Sequence, residues 1–335
     1  GELERVKKVG VPGSRIIFAG VGKTEEEMRG ALRHRVAEFN LESVMEAERL
    51  DAVAGAMRKT APVAIRVNPD VDARTHKKIT TGKKENKFGI SMKDGFALAK
   101  RIGGDLKNLR LVGIHCHIGS QILDPSTYLK AVRVVGDFVD KIIAETGARI
   151  ETLNFGGGYG IAYEKGKKAL DLRPIAKALT AETNRLGVKL ILEPGRSISG
   201  PAGILVTKAE YLKEAAGKYF VIIDGAMTEL LRPTLYDAYH EIQPVTKRRG
   251  KKVKADFVGP VCETGDYLGL DRETVLPRQG DLLAVMDAGA YGFVMASNYN
   301  TREMPAEVLI VDGKPYLARK RQTVKDCMKG EKLLK

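Results

Sequence analysis

The chain has 335 residues, 43% of them hydrophobic and 29% charged, with a net charge of +14, three cysteines and no tryptophan. Such a chain accommodates a barrel-sized domain plus a smaller one, and its composition excludes a disordered or disulfide-framed protein. No stretch approaches the ~20 apolar residues of a membrane span and no basic-then-apolar leader opens the chain, so a cytoplasmic setting without membrane contact is expected.

Short apolar strands alternate with helical patterns through the first two hundred residues. Strands are predicted at 15–20 (RIIFAG), 38–43 (EFNLES), 61–69 (APVAIRVNP), 111–119 (LVGIHCHIG), 151–158 (ETLNFGGG) and 189–195 (KLILEPG), with amphipathic helices at 24–33 and 128–146 among the intervening stretches. Strand–helix alternation argues a parallel sheet. The polar and glycine residues gather after the strands, at Asn68, His117, Ser120, Gly156–Gly158 and Glu193, which is where a (β/α)8 barrel keeps its chemistry. Six units are found where a closed barrel needs eight, and the sequence opens on Gly1-Glu2-Leu3 in helix-like sequence. The expectation is a barrel lacking its first two units. Beyond about residue 205 short alternating strands appear at 219–224, 255–258, 281–285 and 307–311, separated by turn signals such as Asp312-Gly313. The predicted organisation is a barrel domain over 1–205 and a mostly antiparallel β domain over 206–335.

The net charge invites a nucleic-acid reading. Its densest run, 247–254 (KRRGKKVK), has no interleaved aromatic side chains to stack on bases. It reads as a solvated hairpin tip, and attraction of small anions is the better use of the charge. The segment 18–24 (FAGVGKT) imitates a P-loop but carries Ile17 where the motif needs glycine, so Lys23 reads as a surface residue. In 154–160 (NFGGGYG) three consecutive glycines let backbone N–H groups approach an anion such as a phosphate; a purely structural turn fits the same residues. In 115–121 (HCHIGSQ), strand alternation puts His115 and His117 on one face. A metal pair would need further partners, and His34, His76 and His240 do not fall at predicted strand ends, so no metal is expected.

In 192–197 (LEPGRS), Glu193 is a carboxylate suited to hold a proton on a ring nitrogen, and Arg196 suits a carboxylate or phosphate. The last third adds Arg232, Tyr236 and Tyr291, and sets Cys262 beside Glu263 in a turn fenced by Gly259-Pro260 and Gly265-Asp266. Two arginines, a glutamate and tyrosines suit a zwitterion charged at both ends.

Taken together, the collinear segments FNLES, RVNPDVDARTH, TGKKENKFGI, HCHIGSQ, NFGGGYGI, EPGRS, RPTLYDAYH, GPVCETGD and GAYGFVMASNYN resemble the diaminopimelate decarboxylases, pyridoxal-phosphate enzymes of the alanine-racemase-like fold. The resemblance implies that His117 stacks on the cofactor ring. Ser120, Gly157, Gly158 and the backbone at Gly195–Arg196 would hold the phosphate, and Glu193 would bond the pyridine nitrogen. Arg196, Arg232 and Tyr236 would bind the substrate end that is not decarboxylated, and Tyr291 would reach both cofactor and substrate. It also implies a head-to-tail homodimer in which Glu263 and Cys262 reach the other subunit's site, the glutamate reading the distal amino group and the cysteine a candidate proton donor. The reaction implied is loss of CO2 from meso-diaminopimelate to give L-lysine. An ornithine- or arginine-type decarboxylase shares the EPGR and glycine-rich elements, and Arg232, Glu263 and SNYN favour the diaminopimelate branch. One departure stands: the family's cofactor-binding lysine lies in a YALKAN-like segment that this sequence does not contain. A missing N-terminal segment, a non-catalytic anion-binding relative and a fragment are the three readings of that departure.

Overall fold

The computed structural model describes residues 1–71 and 87–334. The parts of two motifs at 72–76, with His76, and at 81–86 lie outside them. The chain divides into two compact units: residues 1–160 with 169–194, and residues 161–168 with 195–335. The division falls after Pro194 rather than near residue 205, and a short excursion after the glycine-rich turn joins the second unit.

The first unit is a parallel sheet of the half-barrel kind. Its strands are β1 (Ile17–Phe18), β2 (Glu38–Leu41), β3 (Ala61–Asn68), β4 (Ile90–Ser91), β5 (Leu109–His115), β6 (Thr152–Asn154) and β7 (Lys189–Ile191). The order is β1-β2-β3-β5-β6-β7, with β4 added to the end of β3. All six predicted strands exist, shorter at most ends. Helices α1 (Glu2–Lys8), α2 (Glu25–His34), α3 (Val44–Ala56), α4 (Met92–Arg101), α5 (Pro125–Thr146) and α6 (Leu172–Leu186) precede or connect them. Local chemistry fixes where these helices start and stop. Thr24 and Glu27 form a reciprocal capping box on α2, and Ser43 accepts from the Glu46 amide on α3. The αL glycines Gly147 and Gly187 end α5 and α6.

Strand β3 is buried at every position but Pro62, as expected of a parallel strand covered on both faces. On β2, Phe39 and Leu41 join the apolar core with Ile65, Ile114 and Phe155, while Glu38 and Asn40 alternate onto the opposite face. That face is polar where barrel interiors are usually filled by branched aliphatics: Glu38, Asn40, His115 and Asn154 are all buried there or at the strand ends beside it.

The second unit holds α7 (Arg196–Ser199), α8 (Arg232–Tyr236) and the strands β8 (Leu205–Ala215), β9 (Lys218–Ile223), β10 (Ile242–Pro244), β11 (Lys252–Val258), β12 (Tyr267–Val275), β13 (Leu282–Val285), β14 (Glu307–Val311) and β15 (Lys314–Arg319). A six-stranded sheet runs β10-β13-β8-β9-β11-β12, and β14-β15 form a separate hairpin. Every neighbouring pair is antiparallel except β9 with β11. The basic run at 247–254 is not a hairpin tip. It crosses from β10 to β11, which are not neighbours in the sheet, and Arg248 is tied to Asp281 at 2.5 Å.

Lys23 also departs from expectation. It is 6% exposed, and its ammonium donates to the Gly20 and Asn40 carbonyls at 2.8 and 2.7 Å and to Glu46 Oε1 at 2.5 Å. Three acceptors match the three donors of an ammonium. Glu46 Oε2 accepts the Glu42 amide, and Glu42 in turn receives Arg66 Nη1 at 2.6 Å and the Gly89 amide at 2.8 Å. Lys23 is therefore one end of a buried, internally paired network across the sheet's strand ends. No helix of the described residues is long and apolar enough to cross a membrane.

Candidate active site

In the first unit the glycine-rich turn after β6 is stapled from three sides. Gly157 N–H donates to His117 Nδ1 at 3.1 Å, Gly156 N–H to Asn154 Oδ1 at 2.8 Å, and the Glu193 amide to the Gly156 carbonyl at 2.7 Å. Tyr128, stacked on Tyr159 with ring centroids 5.1 Å apart, donates its hydroxyl to the Gly157 carbonyl. A Cβ on Gly157 would sit 2.2 Å from the Glu193 carbonyl oxygen, and one on Gly158, whose φ is +93°, 2.2 Å from that of Gly119. Only glycine allows this approach. The approach also carries Ser120, half-buried beside Gly119, alongside the turn: the Ile122 amide donates to the Gly158 carbonyl at 2.9 Å.

Since His117 Nδ1 accepts a backbone N–H, its proton resides on Nε2 and the ring is neutral. Burial, and then the cation of Arg66, push its pKa down to about 4. Its neighbour in the motif, His115, is 1% exposed at the end of β5 and held well below the ordinary histidine range by burial. Strand β5 stops at His115, so strand alternation does not extend to His117. Among the described residues no group of three or more His, Cys, Asp or Glu side chains is placed to hold a metal ion.

Glu193 follows β7. Its Oε1 accepts Asn154 Nδ2 at 2.7 Å and lies 3.6 Å from His115 Nε2, whereas Oε2 has no hydrogen-bond partner among the described residues. Asn154 thus ties the turn and the carboxylate to one side chain. The sequence reading missed this role, although Asn154 opens the glycine motif at a strand end.

In the second unit two buried guanidinium groups share one tyrosine. Arg196 Nη1 donates to Tyr163 Oη at 2.7 Å, and the Arg232 guanidinium lies 4.6 Å from the centre of the Tyr163 ring. Tyr291 packs against Arg196 from another side at 4.9 Å, from a backbone held at φ +56°, a region L-residues rarely occupy. Tyr236, half-buried, lies four residues beyond Arg232 on α8. Arg232 is 5% exposed, and burial pulls its pKa below the usual guanidinium range, followed by the opposing pull of Tyr163 and the like charge of Arg196. It has no carboxylate within ion-pair distance among the described residues. A buried cation without a counter-ion is costly, and such a fork suits a ligand's carboxylate or phosphate. Tyr163, three residues beyond Gly160, carries no sequence signal that sets it apart.

Cys262 and Glu263 stand exposed at the tip of their turn. The turn is built by Asp266, 3% exposed, whose carboxylate accepts the Val261 amide at 2.7 Å and the Met227 amide at 2.6 Å. A Cβ on Gly259 would strike that carboxylate at 2.3 Å. No hydrogen bond, ion pair or ring contact joins Cys262 or Glu263 to the arginine–tyrosine group among the described residues. By contrast Cys116 is fully buried, with its thiol pushed up to about 12. The expected site residues therefore divide into His117, Ser120, Gly157, Gly158 and Glu193 in one unit, and Gly195, Arg196, Arg232, Tyr236, Cys262, Glu263 and Tyr291 in the other.

Residues 1–200 match the family described as pyridoxal-dependent decarboxylase, pyridoxal binding domain. The chain is 47% identical over 322 residues to the diaminopimelate decarboxylase of Aquifex aeolicus, covering 96% of this chain and 76% of that relative. Among solved structures, the Helicobacter pylori diaminopimelate decarboxylase complexed with L-lysine superposes with a TM-score of 0.93 at 36% identity, covering 98% of this chain and 82% of the other. The M. jannaschii diaminopimelate decarboxylase in complex with L-lysine gives 0.92 at 38% identity, covering 100% and 78%.

Proposed function

Because this chain belongs to the diaminopimelate decarboxylase family of pyridoxal-dependent decarboxylases, we propose that it removes CO2 from meso-diaminopimelate to give L-lysine, as a carboxy-lyase that closes lysine biosynthesis in the cytoplasm. The observation that carries the reading is the pairing of two kinds of site. One holds an exposed carboxylate with one oxygen unpartnered among the described residues beside a glycine-rich turn, and the other holds a buried guanidinium with no counter-ion among them.

The first unit's residues fit pyridoxal 5'-phosphate. The turn admits no side chain at Gly157 or Gly158, His117 is a neutral ring beside it, and Glu193 keeps Oε2 available. Ser120, Gly157, Gly158, Gly195 and Arg196 would hold the phosphate, His117 would lie against the ring, and Tyr291 would reach the cofactor and the substrate. When bound, the cofactor supplies an electron sink for the bond that breaks. Glu193 would hold the proton on the pyridine nitrogen that keeps that sink strong, with Asn154 fixing the carboxylate through Oε1. Arg196, Arg232 and Tyr236 would bind the carboxylate-bearing end that is retained, and Glu263 the distal ammonium. Cys262 would donate the proton that replaces the departing CO2 at the same carbon. The exposure of Cys262 and Glu263 supports their serving a partner's site in a homodimer.

Release of CO2 by the holoenzyme from meso-diaminopimelate, L-ornithine and L-arginine tests the substrate; turnover of the first alone is expected, and preference for either of the others overturns the reading. Sharing of sites is tested by mixing a Cys262→Ala variant with an Arg196→Ala variant. Random re-pairing should restore about a quarter of wild-type turnover, since half the dimers then hold one intact site; no recovery rejects sharing.

A further inference from the structure

His240 lies outside the residues assigned above, yet it is fully buried against one of them. Its Nδ1 is 2.8 Å from the Met286 carbonyl oxygen and its Nε2 is 2.6 Å from Arg232 Nη1. Its ring meets Tyr163 edge-on, 5.1 Å between centroids at 69°. A carbonyl can only accept and a guanidinium can only donate. The two neighbours therefore select one form of the ring: neutral, with the proton on Nδ1 and the lone pair on Nε2.

We propose that His240 is a positioning residue, fixed as its Nδ1–H tautomer by the Met286 carbonyl so that Nε2 anchors Arg232 Nη1 and turns the remaining fork, Nε and Nη2, toward the substrate's retained carboxylate. The inference rests on the reading that Arg232 binds that carboxylate. Its support is geometric. Nη1 lies on the Cδ side of a guanidinium, so tying it down leaves the side-on pair that grips a carboxylate with two parallel bonds. Arg232 Nε is buried and without a hydrogen-bond partner among the described residues, a state it shares with Arg66 and Arg272 Nε, so the tie on Nη1 is what sets this guanidinium apart. The Tyr163 ring packs against the same guanidinium, its centre 4.6 Å from Cζ.

The arrangement also sets a pH limit. Burial holds the pKa of His240 down to about 4 against the pull of the Met286 carbonyl, and the cations Arg232, Arg272 and Arg196 add to the effect of burial. A proton on Nε2 would remove the acceptor and set a second cation against Arg232. Carboxylate affinity is therefore lost as His240 protonates, while the neutral form persists through ordinary pH.

The test combines calorimetric titration of L-lysine into the holoenzyme with steady-state kinetics on meso-diaminopimelate. His240→Leu should weaken L-lysine binding and raise KM by about tenfold or more, the scale of losing a hydrogen bond to a charged group, with kcat changed by far less. His240→Gln, whose side-chain oxygen can accept from Arg232, should recover most of the affinity and remove the acid limb of its pH profile. Arg232→Met separates the two levels of the argument. If it binds L-lysine like wild type, the carboxylate reading fails; if it loses binding while His240→Leu does not, the positioning inference alone fails. Nitrogen-15 spectra of the wild-type histidine ring provide a check independent of any variant's folding: a protonated Nδ1 and a bare Nε2 are expected, and the opposite tautomer overturns the proposal.

Discussion

Lys23 and Arg66 in the first unit and Arg232 in the second are equally buried cations with different company. Lys23 meets Glu46, and Arg66 meets Glu42; the two carboxylates are joined through the Glu42 amide. Arg232 meets a histidine nitrogen and the face of a tyrosine. The difference separates structure from function. The Lys23 ammonium is fully matched by acceptors and holds strand ends in place, whereas a cation without an anion among the described residues is what the proposed carboxylate-binding role calls for.

The sharpest way to break this comparison is to remove the paired cation. Lys23→Met should cost about 3–5 kcal/mol by urea denaturation, because Glu46 is left buried and charged beside Glu42. Lys23→Met with Glu46→Leu should recover a substantial part of that loss. If the single variant is as stable as wild type, the network is not structural.

Glu193, an exposed carboxylate with one oxygen held by Asn154, tests the anionic side of the proposed site. Glu193→Ala should lower turnover by about 10²-fold, the scale of losing one group that stabilises developing charge, while pyridoxal phosphate binding changes much less. Equal losses of turnover and cofactor affinity, or unchanged turnover, would remove Glu193 from the chemistry.

A smaller effect follows from pH. The folded-state pKa values of His117 and His240 are depressed from 6.5 to about 4, so the unfolded chain binds protons that the folded chain refuses. Their contribution to stability is complete above 6.5 and is lost progressively as pH falls through the window down to about 4. Glu38 and Glu46, raised by burial, oppose this slope where the folded chain keeps protons that the unfolded chain has released. Urea midpoints at pH 7 and 4.5, compared between wild type and His240→Gln, isolate the His240 share, because His115, His117, Glu38 and Glu46 titrate in both. His240→Gln should lose less stability than wild type on acidification, and an identical loss would show that His240 is not buried neutral.

The parallel half of the fold was readable because runs such as APVAIRVN are apolar, β-rich and followed by polar or glycine residues. Strand β8, LVTKAEYLKEA, gave no strand signal: its leucine, lysine, glutamate and alanine are good helix formers, and it is extended because β9 and β13 pair with it. The proposed site residues stand in motifs visible in the sequence, whereas the buried partners that the fold reveals carry no such signal. Lys23 sits among glycines and charged neighbours, and its burial comes from Asn40 and Glu46, which are distant in sequence. Tyr163 and His240 lie in segments without periodicity, and their meaning arises only where they pack against Arg196 and Arg232.

The most direct measurement is L-lysine binding and urea stability of the Arg232→Met holoenzyme beside wild type. The buried-cation account predicts at least about a tenfold loss of affinity, with a stability loss well below that of Lys23→Met, because the charge removed had no counter-ion among the described residues and only the His240 hydrogen bond is given up. Unchanged affinity together with a loss of stability as large as that of Lys23→Met would contradict it, placing Arg232 with the structural cations of the first unit.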